Sequence, residues 1–173
     1  HHPVNLGRAA VRQRILEGSE KGWNVSIDAD MIPDQDFTAQ LRTHLTDPAV
    51  IYQGRHYYQS HLPPLPYRLH RKYGVKREIR SRDPSSFFTG IFAWHHSALP
   101  LLHFDPELQN YGHEDTLFRL LLNRHGIPVK NIPARALHDG LMDRDTFLKK
   151  QKEAVQNLII LHRKYPQLEN NLI

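Results

Sequence analysis

Asp28-Ala29-Asp30 is the first place in this chain where side chains of one chemical kind stand at a spacing that can do chemistry. On extended backbone, side chains at i and i+2 point to the same side, so the two carboxylates could converge on one hard cation. A divalent ion held there would neutralise the charge that develops as a diphosphate departs. Asp also favours turns through local hydrogen bonding, so the triplet taken alone reads first as an acidic turn. Glu114 and Asp115 follow Tyr111-Gly112-His113 at the head of an apolar segment. There the positive end of a helix lowers carboxylate pKa and keeps both ionised. They serve as helix caps, or one of them as a general base that takes a proton from a hydroxyl. His138 falls in an expected loop before Asp139-Gly140, where a neutral imidazole is either a third metal ligand or a surface side chain.

The composition narrows the chemistry. With no cysteine, disulfides, thiolate zinc sites and cysteine nucleophiles are excluded, so any metal must use oxygen or imidazole ligands. A chain of 173 residues with 39% apolar side chains can bury one ordinary core, and a single domain over 1–173 is expected. No apolar run approaches the roughly 20 residues of a membrane-spanning helix. The first residues lack the pattern of a secretory signal, which makes a cytoplasmic location the expectation. Lys and Arg number 23 against 18 Asp and Glu, a net charge of +5 that suits phosphates, nucleic acid or an anionic membrane face.

The elements that must position these residues follow from periodicity. Gly7 to Gly22 reads as a helix burying Ala9, Ala10, Val11, Ile15 and Leu16, and Asn24 to Asp28 as a strand delivering the acidic pair. Asp34 and Asp36 open a second helix with Phe37, Leu41 and Leu45 inward, followed by a strand from Ala49 to Gly54. A Pro- and His-rich basic stretch to about Pro84 has no clear period and is expected to be a loop or lid. Phe87 to Trp94 reads as a core strand, with a short helix near Ser97 to Leu102. Glu114 to Arg124 reads as a helix stopped by Gly126, Ile127 to Ile132 as a strand. The final helix, Asp143 to Tyr165, is expected to bury Phe147, Leu148, Ala154, Val155, Leu158 and Leu161. Alternating strands and helices indicate an α/β sheet, opened here by a helix with no strand ahead of it.

Three segments resemble, in order and approximate spacing, the family 2 glycosyltransferases of the GT-A fold. Asn5-Leu6-Gly7-Arg8-Ala9-Ala10-Val11-Arg12-Gln13 is similar to the family's Asn-x-Gly-x-x-x-x-Arg-Asn helix opening, with Gln13 in place of Asn. Asn24 to Pro33 resembles its strand with the Asp-x-Asp motif. Phe88-Thr89-Gly90, Phe104-Asp105-Pro106-Glu107 and Tyr111 to Leu120 resemble its acceptor-side segments, the last with a galactosyltransferase-like Gly-x-Glu-Asp. Ile91 stands where a polar residue often follows the Gly.

The resemblance implies a Rossmann-like mixed sheet flanked by helices and lacking its first strand-helix unit, the part that holds the nucleotide base. It implies inverting, metal-dependent sugar transfer from a nucleotide-diphosphate sugar to a saccharide or lipid-linked acceptor. Asp30 and His138 would hold Mn2+ or Mg2+, with Asp28 near the ribose or metal and Arg12 near the diphosphate. Asp115 would be the general base, with Glu114, Tyr111, Gly112 and His113 lining the acceptor side. Gly7 belongs to the donor-side opening, and Gly90 would let the sugar approach backbone.

The basic stretch, with Arg55, Arg68, Arg71, Lys72, Lys76, Arg77, Arg80 and Arg82, has three readings: a lid over phosphates, a patch of 55–82 facing an anionic membrane on its cytoplasmic side, or a solvated loop. Three rivals stand beside sugar transfer, and one of them, a metal-dependent phosphohydrolase, could use Asp28 and Asp30 but has no evident nucleophile or second acidic cluster. A nucleic-acid-binding module would use that stretch with Tyr57, Tyr58, Tyr67 and Tyr73 as stacking groups, but it leaves the acids unexplained and no nucleic acid is expected. A glycosyltransferase-like binding protein without activity would not need Asp28, Asp30, Asp115 and His138 together.

Overall fold

A computed structural model describes residues 6–60, 64–76 and 87–166. Asn5 of the opening motif and Arg77, Arg80 and Arg82 of the basic stretch lie outside the described residues. The regular elements are α1 (Arg8–Glu17), β1 (Trp23–Ile27), β2 (Met31–Pro33), α2 (Phe37–His44), β3 (Ile51–Tyr57), β4 (Ile91–His95), α3 (Glu114–Arg124), β5 (Val129–His138) and α4 (Arg144–Lys164). The protein is α/β. Among the described residues five strands form one mixed sheet in the order β1-β4-β3-β5-β2, in which β3 and β5 pair in parallel and the other pairs are antiparallel.

Side chains alternate between the two faces of a strand, and β4 shows the consequence. Phe92 and Trp94 pack with Ala9 and Leu16 of α1, Leu117 and Phe118 of α3, and Leu161 of α4. Ile91 and Ala93 point the other way, into a smaller cluster with Phe37 and Leu41 of α2. Stacked rings extend the larger cluster, with Phe104 and Phe118 lying 4.2 Å apart at 7°. Helix α4 is started by Asp143, whose carboxylate accepts from the backbone N–H groups of Asp145 and Thr146 at 2.9 Å.

The far end of α4 is stapled to the turn before α3. Lys164 reaches Asp105 at 2.8 Å and Glu107 at 2.9 Å, and the Tyr165 hydroxyl donates to Asp105 at 2.8 Å. Burial and the bond to Asp105 push Tyr165 up to about 12, and Lys164 is also raised by its bonds to Asp105 and Glu107. Burial opposes ionisation of Asp105, but the bonds from Lys164, the Glu107 N–H and Tyr165 outweigh it and lower its pKa. A lowered carboxylate contributes stability that is lost as pH falls through its folded value; a raised tyrosine contributes stability that is lost as pH rises above about 10. Tyr165→Phe is therefore expected to cost about 1 kcal/mol in urea unfolding at pH 7 and to flatten the alkaline limb between about pH 10 and 12.

Several expectations are corrected. Val11 and Ile15 are 46% and 43% exposed, because α1 turns Arg12 inward to meet acidic partners instead. On α4, Leu148, Val155 and Leu158 are exposed while Asn157 is buried. The Asn157 amide donates to the carbonyls of Asn110 and Gly112 at 2.8 and 2.7 Å, and this rotates the helix so that Phe147, Asn157 and Leu161 face inward. Asp34 does not cap α2; it accepts from Arg135 at 2.9 Å and from the Tyr57 hydroxyl at 2.7 Å. Strand β5 runs on to His138, so that histidine ends a strand and is not in a loop. The described part of the basic stretch is not featureless, since it holds a 3-10 turn at Leu65–Tyr67 and a π-helical turn at His70–Val75.

Candidate functional site

The site is made by the pairing of β2 with β5. Met31 lies opposite His138, and the Asp139 N–H donates to the Asp30 carbonyl at 2.9 Å, so the residue before β2 and the last residue of β5 become neighbours. The side chains meet: His138 Nε2 is 3.2 Å from Asp30 Oδ2. Beside them the backbone passes so closely at Gly140 that a Cβ there would stand 2.8 Å from His138 Nε2 and collide with Asp30 Oδ2. Only glycine fits that position without displacing the pair.

Asp30 and His138 sit in the wall of an open cleft of about 420 Å³, together with Arg8, Asp28, Phe88, Tyr111, Met142 and Lys150. Asp28 lines the same cleft, yet its carboxylate is turned to α1. Arg12 holds it at 2.9 Å and Arg8 at 3.1 Å. The Asp28 N–H donates to the Gly90 carbonyl at 2.9 Å, so Gly90 holds the end of β1 beside the cleft, where it packs under Phe88 and Met31.

Outside the cleft lining, Arg12 bridges Asp28 and Glu114, reaching Glu114 Oε1 at 3.0 Å. Both Arg12 and Glu114 are buried. Burial, and then the neighbouring Asp115, push the Glu114 carboxyl up, while Arg8 and Arg12 pull it down. Burial likewise pushes Asp115 up, against the Thr116 N–H that donates to it at 2.8 Å and the charges of Arg12 and Arg8. The expectation that a helix dipole keeps these acids at low pKa is thus overturned by desolvation, which outweighs it.

The turn ahead of them is built on positive φ, 89° at Gly112 and 67° at His113. That reversal of the chain lets α3 begin with Glu114 facing the arginines.

Not every expected residue reaches the cleft. Asp28, Asp30, His138 and Tyr111 line it; Arg12, Glu114, Asp115, Gly112 and His113 do not, and Gly7 sits at the start of α1 with its φ at 79°. Among the described residues, no three His, Asp or Glu side chains converge in a ready metal shell. Three contributors were missed. Arg8 reaches the cleft in place of Arg12, and their i, i+4 spacing on α1 was the available signal. Lys150 enters from α4, where nothing distinguishes it in sequence from Lys149 or Lys152. Tyr58 is buried, and its hydroxyl bonds His138 Nδ1.

His138 thus meets a partner at each ring nitrogen, the Tyr58 hydroxyl at Nδ1 and the Asp30 carboxylate at Nε2; a cation on Nε2 would require Nδ1 to donate to Tyr58. Should Asp30 and His138 hold manganese, Tyr58→Phe is expected to weaken its binding about 10-fold or more, measured by calorimetry. The other three tyrosines, Tyr57, Tyr67 and Tyr73, remain exposed. No protein-family model and no curated protein matches this chain.

Proposed function

We propose that this cleft transfers a sugar, with inversion, from a nucleotide-diphosphate sugar to a hydroxyl of a saccharide or lipid-linked acceptor. The mixed α/β sheet is compatible with the GT-A fold that the sequence resemblance implies. The observation that carries the reading is the meeting of Asp30 and His138, from separate strand ends 108 positions apart in a 173-residue chain, in a cleft shared with Asp28.

Their donor atoms suit a divalent ion. Bonds of about 2.1 Å at right angles set neighbouring ligands about 3.0 Å apart, close to the 3.2 Å between Asp30 Oδ2 and His138 Nε2. Mn2+ or Mg2+ bound there would supply charge neutralisation to a departing diphosphate. Asp30 and His138 would hold it, and Gly140 leaves the space beside them open. Asp28, held by Arg8 and Arg12, would orient the donor by accepting hydrogen bonds and would not ligate the ion.

Tyr111 offers a ring at the acceptor side. Asp115 is the proposed general base, and its raised pKa favours that role, since a base works best with a pKa nearer the working pH. The buried Tyr58 removes one of the stacking groups on which nucleic-acid binding would depend.

Calorimetric titration of a nucleoside diphosphate with and without manganese tests the reading. Binding should require the ion and vanish in Asp30→Ala and in His138→Ala. Ion-independent binding that falls steeply with salt would replace it with the nucleic-acid reading.

A further inference from the structure

The cleft contains a cation with no acid in direct contact. Lys150 projects from α4 into the wall that also holds Asp30, Arg8 and Tyr111. Its ammonium lies 4.6 Å from the centre of the Tyr111 ring. Among the described residues it makes no ion pair and no hydrogen bond. The neighbouring Lys149 pairs weakly with Glu153 at 4.0 Å, which leaves Glu153 to act on Lys150 only at longer range.

The other charges of the cleft are already matched. Arg8 is engaged by Asp28 at 3.1 Å and Glu114 at 3.5 Å, Arg12 by the same two acids, and Asp30 faces His138. An ammonium has three donors, and a ring face satisfies its charge without accepting those hydrogens directionally.

We propose that Lys150 is the anion-holding residue of this cleft, donating to a phosphoryl or carboxylate oxygen of the ligand while Tyr111 fixes the position of its head group. The inference rests on the sugar-transfer reading for the identity of the ligand, but not for the presence of the site. Burial first, and Arg8 second, lower the Lys150 pKa and outweigh the more distant pull of Asp30 and Glu153, as expected for a cation held out of water with no acid in contact. An anionic oxygen accepting from Lys150 would supply the acceptor that the Tyr111 ring face does not. Two sources carry such an oxygen, the diphosphate of the donor and an acidic group on the acceptor saccharide.

Isothermal titration separates them, with magnesium pyrophosphate as one probe and methyl β-glucuronide as the other, and methyl β-glucoside as the neutral control. Lys150→Met should weaken one of the charged probes about tenfold and leave the glucoside unchanged, and Lys150→Arg should regain most of the loss. Loss confined to pyrophosphate assigns the anion to the donor; loss confined to the glucuronide assigns it to the acceptor. Equal affinities of the wild-type chain and Lys150→Met for both charged probes, with circular dichroism unchanged, overturn the proposal, as does failure of the wild-type chain to bind either. Asp30→Asn keeps the two readings apart. If pyrophosphate binding ignores both magnesium and Asp30→Asn yet still depends on Lys150, the transfer reading fails and the anion site stands.

Discussion

Glu114→Ala is expected to lower the unfolding free energy by about 3 kcal/mol, seen as a shift of the urea midpoint at constant slope. Arg12 is 6% exposed and bridges Asp28 and Glu114 at 2.9 and 3.0 Å. Removing Glu114 leaves a buried guanidinium with only one of its two partners, and a broken buried pair costs more than the pair itself contributed. The double variant Arg12→Met with Glu114→Leu should recover much of the loss, because two apolar side chains of similar volume leave no uncompensated charge. A cost for Glu114→Ala near that of a surface substitution, under about 0.5 kcal/mol, would show that the bridge is not a support of the fold.

The pH dependence has an unusual sign. Burial, then Asp115, raise the Glu114 pKa, so its contribution is fully present below about pH 4.3 and declines as pH rises through the raised folded value. Glu114→Gln, neutral throughout, should remove that decline.

Asp115→Asn is expected to reduce turnover about 10²- to 10⁴-fold while leaving metal-dependent donor binding within about twofold. The amide keeps the size of the carboxyl and its bond to the Thr116 N–H, but it has no lone pair basic enough to take the acceptor proton. Because burial raises the Asp115 pKa, the acid limb of the wild-type rate profile should fall above the ordinary carboxylate range, and Asp115→Asn should abolish it. Asp115 does not itself line the cleft. Unchanged turnover in Asp115→Asn would discard the base assignment.

Much of the architecture was legible in the chain. Helix Glu114–Arg124 has the bounds its apolar spacing and Gly126 indicate, and helix Arg144–Lys164 begins beside the capping Asp143. Periodicity registers these because local backbone preference and burial agree there. It failed where one polar side chain outweighed several apolar ones. Arg12 turned α1 and Asn157 turned α4, since an unmatched buried charge or amide costs more than an exposed valine or leucine. Spacing allowed Asp28 and Asp30 to share a cation or form an acidic turn, and it carried no sign of the partners the two carboxylates take, the arginines of α1 and His138 of β5.

By itself the sequence determined which groups were available: two acids at a strand end, two at a helix start, a late histidine, oxygen and imidazole without thiol, and an excess of positive charge. Local patterning also determined that strands and helices would alternate. The tertiary structure alone decided which of those groups meet. Antiparallel pairing of β2 with β5 brought Asp30 to His138, and the long helix α4 carried Lys150 into the same cleft. Contacts between residues more than 100 positions apart depend on strand register and helix rotation, which are set by packing the whole core and leave no mark in any short window of residues.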